Sequence, residues 1–348
     1  MNRYESLDWL RGLMAFSIMI YHVVSWEFFQ PQAGSILGNF GVYGVSIFFV
    51  LSGLSMGIVY NNFITDLQSS FIFFVRRLFR LLPLLWIAVV IISLVSFFYW
   101  NEFELNKFVL NMTLLFGFIA PGEYINTGAW SIGNEIVYYA LTPILIFLYS
   151  KNKKLGNMVV VISILIGIIF AFNLLNPKQT LAEQWLIYIH PLNNLFFYTC
   201  GIALYYNFHK LDMKNIAKVL VVIPLAILCF YPIDGDQINI TTGINRVIFS
   251  MSSIALVLGF YKLRLNLPSL VTRPFASLGE ATYGVYLLHP VVYIFTNHFF
   301  ENTILCVIST VGITLIAAFL SYNFYEKRFI IIGKKVTTFE LKKLEQVG

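Results

Sequence analysis

Apolar runs long enough to cross a bilayer recur from residue 7 to residue 325 of this chain, separated by short polar loops. About 20 mostly apolar residues, wound as a helix, span the hydrocarbon core. In lipid the backbone must satisfy its own hydrogen bonds, which a helix does within one segment. Only 11% of the residues are charged, against roughly a quarter in soluble domains. The deficit runs the whole length, which excludes a soluble domain on a single anchor. The expected fold is an all-α, polytopic membrane helix bundle.

Spanning helices are expected near 7–28, 38–60, 77–99, 131–150, 157–175, 190–207, 216–232, 244–261, 277–298 and 303–325, about ten in all. A further apolar segment, 107–119, is short for a span. If it enters and leaves on one side as a re-entrant segment, and the N-terminus is cytoplasmic, all 23 lysines and arginines except Lys107, Lys178 and Arg246 fall on the cytoplasmic side. A full span there would turn every later basic cluster outward. The positive-inside rule therefore predicts cytoplasmic termini at both ends.

Residues 1–325 then form one membrane-embedded domain. Residues 326–348 form a basic cytoplasmic tail, either an interfacial helix or disordered. The net charge of +6 marks topology rather than nucleic-acid binding. No small-residue cleavage site follows the first apolar run, so it reads as a retained helix. Cys200, Cys229 and Cys306 lack paired spacing, and neither a disulfide framework nor a metal site is expected. Non-helical backbone at membrane depth needs protein or water around it, so 107–130 is expected to line a cavity. The loops 100–106, 120–130, 176–189 and 233–243 are expected to form no more than an outer lid. Internal repeats, the mark of many transporters, are not evident.

Ionisable residues inside a membrane are functional candidates by default. The first helix carries Asp8, Arg11 and His22. Asp8 and Arg11 are neighbours on one face. Arg11 and His22 share a face about three turns apart, with His22 roughly 16 Å deeper. Histidine can act as a general base near neutral pH; equally, Asp8–Arg11 can be a helix-end ion pair and His22 a satisfied bundle histidine. Arg76, Arg77 and Arg80 cluster where the third helix is expected to begin, followed by Pro83. Guanidinium groups bind phosphate oxygens bidentately, although inner-end arginines also serve as plain anchors. Glu135 follows Trp130 and Ser131 at the start of the fourth span, either as an acid or orienting group facing His22 or as a helix N-terminal carboxylate favoured by the dipole. In the ninth span, after Glu280, residues Thr282, Tyr286, His289 and Tyr293 follow helical spacing, with Tyr283 beside them. They form a polar stripe that faces either a cavity or neighbouring helices. His190, His209 and His298 lie near membrane boundaries and receive no role.

Taken together these motifs resemble the acyltransferase-3 family of membrane acyltransferases. The matching stretches are Leu7-Asp8-Trp9-Leu10-Arg11-Gly12 through Tyr21-His22; Phe48-Phe49-Val50-Leu51-Ser52-Gly53; Arg76-Arg77 with Arg80 and Pro83; Trp130-Ser131 with Glu135 and Tyr139; and Tyr283 through His289-Pro290. They occur in the family's order and cover essentially the whole chain. The resemblance implies an enzyme that takes an acyl group, commonly acetyl, from cytoplasmic acyl-CoA and passes it to a hydroxyl of a carbohydrate or lipid-linked glycan. Some members carry a fused extracytoplasmic esterase-like domain, and this chain is expected to be of the stand-alone type.

The expected setting is a bacterial inner membrane. Acetyl-CoA serves as donor substrate, and no permanently bound cofactor is implied. Arg76, Arg77 and Arg80, with Arg11 and Arg273, are expected to hold the CoA phosphates. A pantetheine arm of about 15–20 Å, taking a peptide's extension per bond, would bring the thioester toward His22. His22 would act as general base or carry the acyl group transiently. Asp8 would hold Arg11. Trp130, Ser131, Tyr283, Tyr286 and His289 would line the acceptor cavity, with Trp130 stacked on a sugar ring. The alternatives are a multi-span transporter or flippase, or a membrane subunit with no activity of its own.

Overall fold

A computed structural model of the chain describes residues 4–265 and 268–345, and all regular structure among them is helical. In chain order the helices are α1 (Glu5–Glu27), α2 (Ile36–Tyr60), α3 (Leu67–Trp100), α4 (Leu105–Thr113), α5 (Phe116–Ile119), α6 (Ala129–Lys151), α7 (Lys153–Ile169), α8 (Trp185–Tyr188), α9 (Pro191–Phe208), α10 (Lys214–Phe230), α11 (Ile238–Thr241), α12 (Gly243–Lys262), α13 (Ser269–Glu280), α14 (Thr282–Phe299), α15 (Thr303–Ser321) and α16 (Lys327–Glu345). π-Helical turns at Phe170–Leu174 and Tyr322–Glu326 extend α7 and join α15 to α16.

By length and composition, 7 helices among the described residues can cross a membrane: α1, α2, α3, α6, α7 with its π-turn, α12, and the run Thr303–Thr338. The three remaining apolar segments are also helical, as α9, α10 and α14, with 18, 17 and 18 residues. These lengths lie at the short end of the spanning range.

Segment 107–119 is not a span. The 9-residue α4 ends where Leu114 turns left-handed (φ 61), and the 4-residue α5 follows. Asn111, fully buried, staples the return of the chain. Its Nδ2 donates to Glu123 O (2.6 Å), and its Oδ1 accepts from Ile125 N–H (3.0 Å). Phe116 and the Gly117–Gly133 backbone contact then pack α5 on α6.

One boundary differs from the sequence expectation. Helix α3 starts at Leu67, well before Arg76, and runs for 34 residues through Pro83. Its start is set by a capping box. The Asp66 carboxylate accepts from Ser69 N–H (2.7 Å) and from Ser69 Oγ (2.9 Å), while Ser69 Oγ in return accepts from Asp66 N–H (3.0 Å). These bonds to the charged form hold the Asp66 carboxyl below its usual range. The arginine cluster therefore lies inside α3, not at its end. The tail is helical, with α16 packed on α3, where Gly333 lies against Phe79. Arg3, residues 346–348 and the side chains of Lys342 and Lys343 lie outside the described residues.

Arg246, one of the basic residues that broke the charge pattern, is 4% exposed near the start of α12. It donates to the carbonyls of Thr241 (3.2 Å) and Asn193 (2.9 Å) and lies over the Phe196 ring. It pins α9 and α11 to α12, which explains its place away from the other cations.

Helix α2 is the axis of the bundle and contacts α1, α6, α9, α10 and α12. The candidate site forms between this helix and α1, α3, α6, α13 and α14.

Candidate active site

A cavity of about 480 Å³ lies between these helices. Helix α1 contributes Asp8 and Arg11. The face of α2 contributes Phe48, Ser52 and Ser55, positions that helical spacing stacks in one row. Arg77 and Arg80 come from α3, and Ser131, Glu135 and Tyr139 from α6, again one row. Glu280, Thr282, Tyr283 and Tyr286 close the side formed by α13 and α14, with Tyr322 beyond.

The arginines are held differently. Arg11 pairs with Asp8 (Nη1–Oδ1 2.7 Å) and donates to Ser55 Oγ (2.5 Å). Arg80 pairs with Glu326 of the π-turn (3.3 Å) and lies over the Tyr283 ring. Arg77 makes no carboxylate salt bridge among the described residues. It donates to Tyr60 Oη (2.9 Å) and packs over the Tyr60 and Tyr139 rings. Its Nε is buried without a hydrogen-bond partner. A buried N–H of that kind costs roughly 1–3 kcal/mol.

Arg76 and Arg273 lie outside the cavity wall. Arg76 donates to Thr337 Oγ1 of α16 (2.9 Å) and covers the Phe63 ring. Arg273 is exposed on α13. Adjacent residues on a helix point about 100° apart, so the cluster divides between the cavity and α16.

Glu135 accepts from Ser52 Oγ (2.6 Å) and from Tyr139 Oη in a short bond. Its partners are cavity residues, not His22. Tyr286 Oη donates to Gly128 O (2.9 Å) and lies 2.8 Å from Ser131 Oγ. Trp130 is 5% exposed beneath Trp185 and Tyr188, off the cavity wall, so no open ring face awaits a sugar. Segment 107–130, expected to line the cavity, supplies none of its wall; α4 packs on α3 and α5 on α6 instead.

His22 lies one layer beyond the cavity and contacts His289, with its Nδ1 at 2.8 Å from His289 Nε2 and the two rings nearly coplanar. Trp26 stacks beside both, and Tyr293 stacks on Trp26 (4.4 Å). Between this group and the cavity stand Phe48 and Tyr286, packed edge to face; the Tyr286 ring is 6.2 Å from His289. The stripe on α14 therefore faces two ways, with Tyr283 and Tyr286 in the cavity wall and His289 and Tyr293 on the histidine side. Ser55, Tyr60 and Glu326 were not singled out from sequence. Only their helical register with chosen neighbours hinted at them, as Ser55 one turn after Ser52.

A family model described as an acyltransferase domain matches residues 4–323. The chain is 23% identical to a peptidoglycan O-acetyltransferase of Listeria monocytogenes, aligned over 92% of this chain and 55% of that protein. It is 26% identical to a putative peptidoglycan O-acetyltransferase of Bacillus subtilis, over 94% of this chain and 55% of the other. A putative acetyltransferase of Acidianus two-tailed virus is 25% identical over 80% of each chain. The chain thus spans about half the length of the two bacterial relatives. No solved structure matches it.

Proposed function

The chain belongs to the acyltransferase-3 family, and from that premise we propose that it is a multi-pass membrane O-acyltransferase, moving an acetyl group from acetyl-CoA to a hydroxyl of a cell-envelope glycan. The glycan and the acetyl group are taken from what its relatives are named for. In this reading about ten helices cross a bacterial inner membrane, both termini are cytoplasmic, and the donor enters at the end of the bundle where α1 begins.

The observation that carries the proposal is Arg77, a half-buried cation with an unmet Nε donor, in the wall of a cavity that ends one ring short of a histidine pair. Arg77, with Arg11 and Arg80 beside it, holds phosphate or carbonyl oxygens of the donor. The pantetheine arm passes Phe48 and Tyr286 to reach His22. His22 takes the proton of the acceptor hydroxyl as its oxygen attacks the thioester carbonyl. The C–O bond forms, the C–S bond breaks, and the proton passes to the departing thiolate to give free CoA. Glu135, fixed by Ser52 and Tyr139, orders the polar wall along which the arm lies.

The arginines test the donor site. Loss of a charge-assisted hydrogen bond is worth about 1.5–3 kcal/mol, so Arg77→Ala should weaken acetyl-CoA binding by roughly 10- to 100-fold. Arg76→Ala, on the α16 side, should leave it within about twofold, since surface contacts are worth little. Binding of labelled acetyl-CoA to the protein in nanodiscs measures both. Equal affinities for wild type and Arg77→Ala would remove the donor from this cavity.

A further inference from the structure

The wall of α14 next to His22 carries a chain of hydrogen bonds with a fixed direction. His289 is 0% exposed. Its Nδ1 lies 3.0 Å from the carbonyl oxygen of Val285, one turn earlier. Pro290 has no N–H to give, so the Tyr286 carbonyl loses its helical donor and also interacts with the His289 ring. A carbonyl oxygen only accepts, so Nδ1 of His289 carries the hydrogen. In the neutral ring Nε2 is then a lone-pair acceptor. The atom 2.8 Å from it is His22 Nδ1, which must be the donor. The second nitrogen of His22, Nε2, is left with its lone pair, and nothing among the described residues hydrogen-bonds to it.

We propose that His289 is a positioning residue that holds His22 in the Nδ1–H tautomer and orientation, so that Nε2 presents the basic lone pair to the acceptor hydroxyl. This inference rests on the reading of His22 as the base. Every step follows from what backbone carbonyls can accept: Val285 sets His289, and His289 sets His22. When Nε2 takes the hydroxyl proton, His22 becomes an imidazolium whose Nδ1–H still points at an acceptor. The His289 lone pair thus steadies the charge as it forms, without itself being protonated. Carboxylates often orient a catalytic histidine in this way. A neutral imidazole does so here without placing a second charge in the membrane.

Two substitutions separate this role from packing. His289→Gln keeps an acceptor, because the amide Oε1 can stand where Nε2 stood. His289→Leu fills the space without one. His289→Leu should lower kcat by roughly 10- to 100-fold with the KM for acetyl-CoA unchanged, and His289→Gln should restore most of the loss. Nitrogen-15 NMR of histidine-labelled protein in bilayers reads the tautomer directly: Nδ1-protonated His22 in wild type and His289→Gln, a mixture in His289→Leu. The proposal is overturned if folded His289→Gln is as slow as His289→Leu, if His289→Leu turns over normally, or if wild-type His22 carries its hydrogen on Nε2. A slow His289→Leu protein beside an inactive His22→Ala protein supports both assignments. Full activity in His22→Ala sinks the base assignment itself, whatever His289 does.

Discussion

Replacing His22 by alanine is expected to lower acyl transfer by about 10²–10⁴-fold, the range set by removing a positioned general base. That is roughly 3–5 kcal/mol of transition-state stabilisation. Acetyl-CoA affinity should hardly change, because His22 lies beyond the Phe48–Tyr286 pair and outside the cavity wall. Nor should membrane insertion fail. His22 is one residue of a helix otherwise fastened by Gly12 against Gly279 and by the Asp8–Arg11–Ser55 contacts. The variant is therefore expected to bind donor and not use it. The measurement is acetyl transfer to purified glycan by the reconstituted protein, alongside donor binding on the same preparation. A His22→Ala protein with normal transfer would return His22 to the role of a packed bundle histidine.

The same variant bears on direct transfer versus a transient acyl-histidine. Both routes need the Nε2 lone pair, so both stop. The two differ before that point. Acid-quenched wild-type protein, given labelled acetyl-CoA without acceptor, would yield a labelled peptide containing His22 only if the histidine is acylated.

Much of the site could be read from one helix at a time. Asp8 and Arg11 are three residues apart and form the expected ion pair. The helical spacing from Thr282 to Tyr293 gave a real polar stripe on α14. What no single helix shows is which stripe meets which. The meeting of His22 and His289 depends on how α1 and α14 cross, and nothing in either segment names the other. One of the two sequence readings of Glu135 sets it facing His22, because both look like outer-half polar groups. The structure gives it to Ser52 and Tyr139, since the α6 row turns toward α2 and α3. Trp130 looked like a free aromatic because the loop that buries it, through Trp185 and Tyr188, is far away in sequence. The arginine cluster read as one unit because charge patterning carries no rotation angle. The start of α3 is set by the Asp66–Ser69 capping box, a polar signal that lies ten residues before the arginines and outside the apolar run.

Gly53 and Gly201 should prove as sensitive to substitution as His22, for reasons of packing alone. The helices α2 and α9 touch backbone to backbone at these two positions. A Cβ on Gly53 would run into the Tyr198 carbonyl oxygen, and would sit 2.9 Å from its carbon and 3.1 Å from Ile202 N. A Cβ on Gly201 would meet the Val50 carbonyl oxygen in the same way and lie 2.8 Å from Leu54 N. The obstacles are backbone atoms on both sides, so no rotamer change relieves the clash, and the helices must move apart. In a membrane, close packing of small residues replaces much of the hydrophobic drive between helices. Overpacking costs about 1–3 kcal/mol even where side chains can yield. Gly53→Ala and Gly201→Ala should each reach the top of that range, and Gly53→Val should prevent a folded product. Gly312 supplies the contrast. It lies within α15 with nothing inside 4 Å of an added Cβ, and Gly312→Ala should be neutral or stabilising by up to about 1 kcal/mol. Thermal unfolding of the variants in detergent, followed by size-exclusion recovery, orders them. The packing account fails if Gly53→Ala melts with or above Gly312→Ala. The loss should reach the site as well. Ser52 is the neighbour of Gly53 and donates to Glu135, and Ser55 receives Arg11. A sub-ångström retreat of α2 would loosen both bonds, so Gly53→Ala protein that survives should bind acetyl-CoA less tightly than Gly312→Ala protein at the same temperature.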